Sequence, residues 1–157
     1  MDRNELIHKT ILLAIENVTN GEGGPFAALV VKDGDIIASG VNQVTATLDP
    51  TAHAEVVAIR TACRVLNNFE LTGCEIYCSC EPCPMCMAAL HWARVDTVYF
   101  GATVQDAADA GFNELYIDAA QILSMGGSKV KLIGGVLPEE CRQLFHDWIK
   151  LPTARTY

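Results

Sequence analysis

Hydrophobic and polar positions near the start of the chain predict one helix followed by a β-hairpin. Asp2 and Glu5 have the spacing of a capping box, and apolar residues then recur with helical spacing to about residue 18. Two apolar runs, 27–32 and 35–39, are joined by the pair Asp33-Gly34. Because Asp-Gly readily adopts the positive φ angles of a tight turn, these runs are expected to form two antiparallel strands.

The remainder of the chain alternates between helical and strand patterns. Helices are predicted at 53–66, 84–94, 119–125 and 138–150, and strands at 75–79, 97–100 and 129–133. The resulting order, αββαβαβαβα, is typical of a five-stranded, mostly parallel sheet with helices on both faces, a three-layer α/β/α sandwich. The hairpin is expected to place one antiparallel strand at an edge of this sheet. We find no internal repeat and no interdomain linker, so residues 1–157 are expected to form a single domain.

The amino-acid composition limits which cellular environments and which binding partners fit the sequence. Half of the 157 residues are apolar, which is enough for one substantial core. No stretch approaches the roughly 18 consecutive apolar residues of a membrane span, and residues 1–5 do not resemble the basic start of a secretory signal. A cytoplasmic protein is therefore expected. The formal net charge of −8 repels phosphate chains, which favours a small uncharged or cationic substrate over a nucleic acid.

The cysteines indicate metal binding or reduced thiols rather than disulfides. Their number, seven, is odd, and four of them lie between Cys78 and Cys86, where disulfide loops would be very tight. The other three, Cys63, Cys74 and Cys141, are expected to pack as small apolar groups.

Two short motifs together predict a catalytic zinc site. His53-Ala54-Glu55 fits the pattern H-x-E, and residues 82–86, Pro-Cys-Pro-Met-Cys, fit P-C-x-x-C. One imidazole and two thiolates supply three of the four tetrahedral ligands of zinc, and a catalytic site leaves the fourth place to water. We therefore expect one zinc ion per chain, held by His53, Cys83 and Cys86.

Glu55 has the position expected of a general acid–base. It lies two residues from His53 and can reach the water at the open position without binding the metal. Zinc lowers the pKa of a bound water from 15.7 toward about 7. Glu55 would then move protons between that water, the substrate and the departing amine.

A closed four-thiolate site is the rival interpretation. Because Cys80 and Cys83 also have C-x-x-C spacing, the four cysteines between 78 and 86 could hold zinc or an iron–sulfur cluster in an interaction module without catalysis. Strand alternation argues against this, since it places Cys78 and Cys80 on one face with Ile76 as ordinary core residues. The closed site would also leave the H-x-E motif without a role.

At these motifs the sequence resembles the nucleobase and tRNA deaminases of the cytidine-deaminase-like superfamily, and within them it is most similar to the short bacterial guanine deaminases. The resemblance covers almost the whole chain. It is carried by Gly23-Gly24-Pro25-Phe26, residues 49–55, residues 79–86, Trp92-Ala93-Arg94, residues 106–112 and Tyr157. It implies hydrolytic deamination of guanine to xanthine and ammonia, in which water attacks C2 and Glu55 protonates N3.

The resemblance also implies the contacts with the base. Phe26 would stack on it, while Asn42 and the backbone of Ala54 would hydrogen-bond its edge. Glu114 would bind the N1 and amino hydrogens, at a position where some relatives have Asp.

The resemblance further implies a homodimer with exchanged tails. The C-terminal segment, about 150–157, would cross to the neighbouring subunit, where Tyr157 would close the pocket. Trp92, on the helix that begins with the metal cysteines, is counted with the substrate-binding residues. Packing in the core or at the subunit interface is its alternative role.

Two alternative substrates stay open. One is a related small molecule, such as guanosine, a pterin or an aminotriazine. The other is tRNA adenosine, because residues 134–141 look like the corresponding turn and helix of tRNA adenosine deaminases. The net charge of −8 and the aromatic C terminus favour guanine. Glu114 favours it too, because guanine offers a carboxylate two adjacent N–H donors and adenine does not.

Overall fold

The chain forms seven helices and five strands, and the computed structural model describes residues 1–157. The helices are α1 (Arg3–Thr19), α2 (Val44–Thr47), α3 (Ala54–Leu66), α4 (Pro84–Trp92), α5 (Val104–Asp109), α6 (Ala119–Gly126) and α7 (Pro138–Trp148). The strands are β1 (Ala27–Lys32), β2 (Asp35–Val41), β3 (Cys74–Cys80), β4 (Thr97–Ala102) and β5 (Lys131–Ile133). None of the helices is long and apolar enough to span a bilayer.

Every helix and strand that the sequence predicts is present. The capping box at the start of α1 is confirmed, with hydrogen bonds in both directions between Asp2 and Glu5. The hairpin turn is confirmed as well, since Asp33 and Gly34 have φ angles of 52° and 86°. The sequence patterns miss α2 and α5, which are too short for an apolar period to repeat. The signal present in α5 is its capping box between Thr103 and Asp106.

The five strands form one sheet in the order β2-β1-β3-β4-β5. The pairs β3–β4 and β4–β5 are parallel, whereas β1 is antiparallel to both of its neighbours. Four strands thus share one direction, as predicted. The expectation that the antiparallel strand lies at an edge is wrong. Strand β2 occupies the edge because the crossover through α3 joins two strands of the same direction, β2 and β3, and β1 fills the position between them.

Apolar residues pack against both faces of the sheet. On one face lie α1 and α7, with Ile7 and Phe145 among the buried residues. On the other face lie α3, α4 and α6, with Ala58, Leu90 and Leu123 among the buried residues. The three-layer α/β/α sandwich is therefore confirmed.

The direction of the strands decides where the N-termini of the following helices lie. Strands β2, β3 and β4 are mutually parallel, so their carboxyl ends meet at one edge of the sheet. Helix α3 follows β2, α4 follows β3, and α5 follows β4. Helix N-termini thus gather at this edge, which is where open α/β sheets bind ligands.

We predict that Gly40→Ala destabilises the fold by about 1–3 kcal/mol, the usual cost of overpacking. Gly40 lies in β2 against the first turns of α3. A Cβ there would collide with the carbonyl oxygen of Ala54 and lie 2.5 Å from the backbone nitrogen of Ala58. Because backbone rather than a flexible side chain is in the way, α3 has to move. Urea unfolding measures the cost.

Gly126→Ala is the matched control. Gly126 lies in α6 with open space at its Cβ position. Alanine favours a helix over glycine by up to about 1 kcal/mol, so this variant should be as stable as the parent protein or more so. If the two variants unfolded at the same urea concentration, the close approach of β2 and α3 would be contradicted.

Candidate active site

The three predicted metal ligands lie at the N-termini of two helices. His53 is the N-cap residue of α3, and Cys83 is the N-cap residue of α4. Both have extended backbone, and Pro84 at the first position of α4 fixes where that helix begins. Cys86, in the first turn of α4, faces the same point as Cys83. The positive end of the α4 dipole favours a thiolate at Cys83, whereas the hydrogen bond to Cys83, together with burial, raises the pKa of Cys86.

The ligand atoms are close enough to bind one ion. His53 Nδ1 lies 3.6 Å from Cys83 Sγ and 3.5 Å from Cys86 Sγ. All three atoms lie within 4.8 Å of one another. One imidazole nitrogen and two thiol sulfurs fit zinc, which binds nitrogen and sulfur ligands tetrahedrally. A three-ligand set leaves the fourth position for water.

The four-thiolate alternative is contradicted, because Cys78 and Cys80 are not part of this cluster. Cys78 is buried in the same core as Ile76, as strand alternation predicts. Cys80 is not, since it belongs to the core on the other face and its thiol donates to the carbonyl oxygen of Thr103. The alternation argument therefore holds for Cys78 and fails at Cys80, the last residue of β3.

Cys83 and Glu55 differ in how the site changes their pKa values. Hydrogen bonding to Cys86 and then to His53 lowers the pKa of Cys83 to about 4, against the opposing effect of burial. Burial raises the pKa of Glu55 to about 7, and the negative charge of Cys83 acts in the same direction. The site thus holds a thiolate suited to a metal beside a carboxyl group suited to proton transfer near neutral pH.

Glu55 lies beside the metal ligands without belonging to them. It is in the first turn of α3, only 8% exposed, and it is not one of the three residues of the metal cluster. Its carboxyl group faces the pocket described next.

A pocket of about 310 Å³ opens beside the metal ligands. Its lining includes His53 and Cys83 and, of the residues predicted to contact substrate, Phe26, Asn42, Ala54, Glu114 and Tyr157. Its volume lies at the lower end of the range for small-molecule sites. The structure therefore brings together all but one of the predicted substrate residues.

Trp92 is the exception. It is 78% exposed, lies beside His91, and does not line the pocket. The reason is geometric, because α4 begins at the metal and runs away from it. At 1.5 Å per residue, the end of this helix lies roughly 12 Å from its start. Trp92 therefore does not reach the pocket of its own chain, and its contact with substrate stays a prediction.

Aromatic rings form one wall of the pocket. Phe112 contacts Phe26 at a centroid distance of 4.9 Å and Tyr157 at 5.2 Å, both edge to face. On its other side Phe112 stacks on Trp148 at 4.9 Å. Such mutual packing gives a flat ligand a rigid apolar surface.

Polar groups face this wall from several elements. Asn42 is 1% exposed, and its side-chain oxygen accepts from the Val44 backbone, which leaves its NH₂ group for a ligand. Ala54 is the first residue of α3, so its backbone N–H has no acceptor within the helix. Burial raises the pKa of Glu114, and the charge of Cys83 adds to this effect.

Tyr157 lies over the pocket of its own chain. Its backbone oxygen accepts from the Asn113 N–H at 3.0 Å, and its ring lies 6.5 Å from that of His53. Its hydroxyl group is buried without a hydrogen-bond partner. A Cβ at Gly24 would lie 2.7 Å from that hydroxyl, so a larger residue at position 24 would displace the end of the Tyr157 side chain.

The sequence patterns do not identify two pocket residues, Phe112 and Glu81. Phe112 occurs in the stretch 106–112, where the only signal is an aromatic residue after Gly111. Glu81 has a clearer signal, since it is an acidic residue between a predominantly apolar strand and the metal cysteines. Acidic residues are rarely buried unless their charge is paired.

Comparisons with known proteins agree with this geometry. Residues 1–102 match the family model described as the cytidine and deoxycytidylate deaminase zinc-binding region. Guanine deaminase from Bacillus subtilis (strain 168) is 52% identical over 117 residues, which cover 74% of this chain and 75% of that protein. A tRNA-specific adenosine deaminase from Aquifex aeolicus (strain VF5) is 50% identical over 78 residues, which cover 50% of this chain and 52% of that protein.

Solved structures give the same assignment. The X-ray structure of the Bacillus subtilis guanine deaminase has a TM-score of 0.71 and 53% identity, covering 73% of each chain. That of guanine deaminase from Nitrosomonas europaea has a TM-score of 0.87 and 26% identity, covering 94% of this chain and 85% of that one. The family model spans more than half of the chain and describes a zinc-binding region, and His53, Cys83 and Cys86 are placed to bind that ion. The chain therefore belongs to the cytidine and deoxycytidylate deaminase family and is a zinc-dependent aminohydrolase.

Proposed function

We propose that the protein deaminates guanine to xanthine and ammonia by hydrolysis. The observation that carries this proposal is the presence of Glu114 in the same aromatic pocket as Glu55 and the metal ligands. The relatives named as guanine deaminases support it.

Glu114 selects for a base with adjacent N–H donors. Guanine presents two, at N1 and at the 2-amino group, and a carboxylate accepts both. A half-buried carboxylate that faces an acceptor instead is penalised by several kcal/mol. Burial raises the pKa of Glu114, which disfavours its charged form. A substrate that donates two hydrogen bonds would stabilise the carboxylate.

The remaining pocket residues orient the base. Phe26 and Phe112 offer an apolar surface for its ring. The NH₂ group of Asn42 and the N–H of Ala54 are free donors for its acceptor atoms. Together with Glu114, these groups would hold the base with C2 toward the metal ligands.

Glu55 carries out the proton transfers. Zinc held by His53 and the two cysteines supplies Lewis-acid activation of the attacking water. Glu55 accepts one proton from this water and delivers it to N3 while the water oxygen bonds to C2. Glu55 then takes the second proton of that oxygen and delivers it to the amino group as the C2–N bond breaks. The products are xanthine and ammonia, and Glu55 returns to its starting state.

tRNA adenosine is the second candidate substrate. It is favoured by the identity to the Aquifex aeolicus enzyme. The turn 134–141, which motivated this alternative, does not line the pocket. Adenine also lacks the donor pair that Glu114 requires, and the net charge of −8 opposes binding to RNA.

We also propose that the enzyme acts as a homodimer. Exchange of the tail 150–157 between subunits would preserve the contacts of Tyr157, because domain swapping replaces contacts within a chain by identical ones between chains. A cytoplasmic location and a role in purine metabolism stay predictions that fit this reaction.

The substrate is tested by an ammonia-release assay over guanine, guanosine, a pterin, ammeline, adenine and a tRNA anticodon stem-loop. We expect the highest kcat/KM for guanine. Glu114→Gln should lower this value by at least about tenfold, equivalent to roughly 1.4 kcal/mol of transition-state stabilisation, because an amide offers one acceptor where two are needed. Glu16→Gln, on the exposed side of α1, is the control and should match the parent enzyme. Faster turnover of the stem-loop than of guanine would overturn the proposal.

The roles of His53 and Glu55 are separated by a pair of variants. His53→Ala should lose most zinc and all measurable turnover, because it removes a metal ligand. Glu55→Gln should keep zinc while losing at least about 10²–10⁴-fold in kcat, the usual contribution of general acid–base catalysis. Metal analysis and steady-state kinetics give both quantities. Cys63→Ala is the control, because Cys63 lies outside the metal cluster, and it should retain both zinc and normal turnover. Full zinc in His53→Ala, or near-normal turnover in Glu55→Gln, would refute the corresponding role.

Deletion of residues 153–157 tests closure by the tail. It should leave zinc and fold intact but raise KM or lower kcat for guanine by at least about tenfold, because water then enters the pocket beside Glu55 and Glu114. If tails are exchanged, heterodimers with Glu55→Gln chains recover activity, since the inactive chain lends its tail to the intact site of the truncated chain. No recovery in demonstrated heterodimers would mean that each tail closes its own chain. Unchanged kinetics in the truncated protein would exclude any role of Tyr157.

A further inference from the structure

Glu81 makes two hydrogen bonds that join separate parts of the pocket. It follows β3 and stands two residues before Cys83, and only 9% of its surface is exposed. One carboxylate oxygen accepts from the Val104 N–H at 3.0 Å, and the other accepts from the Ala119 N–H at 2.8 Å. The Glu81 backbone N–H in turn donates to the Ala102 oxygen of β4 at 2.8 Å.

Both donors are the first residues of helices. Val104 begins α5 and Ala119 begins α6, and each helix has its own capping box. A capping box satisfies the N–H groups of the N-cap and third helical residues, which leaves the first residue without an acceptor. Glu81 provides that acceptor for two helices at once. A carboxylate is also the charge that helix N-termini favour.

The chain between these two donors carries one side of the pocket. Residues 104–119 include Phe112, Asn113, Glu114 and Leu115, all of which line it. The middle of this segment is held mainly by local bonds, from Glu114 N–H to the Phe112 oxygen and from Ile117 N–H to the Leu115 oxygen. Its one backbone hydrogen bond to a distant residue runs from the Asn113 N–H to the Tyr157 oxygen in the tail. The position of Glu114 thus depends on how firmly the two ends are held, as well as on the packing of the buried Phe112 ring against Trp148.

We propose that Glu81 is a positioning residue that fixes the segment 104–119 relative to the metal-binding residues. It connects the loop that carries Cys83 to both ends of the segment that carries Glu114. This side chain thereby helps to set the distance between the metal-binding residues and the group that recognises the base. The consequence for KM rests on the proposed function, because it requires Glu114 to bind the substrate.

Only glutamate among the similar residues satisfies both amides. Glutamine has the same shape but a single acceptor oxygen, so its NH₂ group would face one of the two N–H donors. Aspartate is shorter by one methylene group and cannot span the same gap. Loss of either bond frees one end of the segment.

Kinetics of Glu81→Gln give the first test. We expect KM for guanine to rise about tenfold or more, with a smaller fall in kcat and with zinc retained. A tenfold rise corresponds to a segment that adopts its binding position about one-tenth of the time. Glu75→Gln is the matched control. Glu75 lies at the other end of β3 and accepts from the hydroxyl groups of Tyr77 and Tyr99, so this variant should lose stability without a change in KM.

Amide hydrogen exchange without substrate gives the second test. In Glu81→Gln, exchange should accelerate at Val104, Ala119 and residues 113–117, and it should stay unchanged in α1. In Glu75→Gln this segment should exchange as in the parent protein. These measurements do not depend on the identity of the substrate, so failure of the parent enzyme to deaminate guanine would count against the proposed function alone. Unchanged exchange in 104–119, or zinc loss as large as in His53→Ala, would overturn the role of Glu81.

Ala119→Pro provides an independent variant if Glu81→Gln does not fold. It removes the N–H donor at the first position of α6, where proline suits the helix, and Asp118 already has the extended backbone that precedes a proline. It should raise KM and accelerate exchange in residues 113–117, as Glu81→Gln does. Normal KM together with normal exchange in this variant would also overturn the proposal.

Discussion

The site depends on the requirement that two thiolates and one imidazole reach a single ion. These groups come from segments thirty residues apart in sequence, and the fold joins them by starting two helices at the same edge of the sheet. His53 and Cys83 occupy N-cap positions, where the backbone turns sharply and the side chain points away from the helix. A metal bound here therefore links α3 to α4 in addition to activating water. The core beneath these two helices has to hold them at a fixed distance from each other. The close contact of Gly40 with α3 is part of that constraint.

Most of the architecture can be predicted from the sequence because its signals are local. The capping box at Asp2, the Asp33-Gly34 turn and the alternation of helices and strands each depend on a few neighbouring residues. The position of β1 is not local, since its place between β2 and β3 is decided by a crossover that spans α3. The same is true of Cys80, whose neighbours come from β4 and the residue that follows it rather than from its own strand.

In the candidate site, too, some residues can be predicted from the sequence and others cannot. The metal ligands and Glu55 can be predicted because zinc chemistry demands particular residue types at particular spacings. Glu81 cannot be assigned a role in this way, because its two partners are backbone amides and carry no residue-type signal. Trp92 shows the opposite case, since a residue can belong to a recognisable stretch and still lie outside the pocket of its own chain, exposed at the far end of its helix.

Charge in the pocket has a further effect on the proposed reaction. Glu55, Glu81 and Glu114 line it, and no lysine or arginine does. In the proposed reaction the substrate would present an amino group to Glu114, whereas the product would have a carbonyl oxygen at the same carbon. An attractive hydrogen bond is thus replaced by two acceptors facing each other, which is unfavourable in a partly buried site. The carboxylate that recognises the substrate would then also expel the product, so recognition and turnover would be two results of the same side chain.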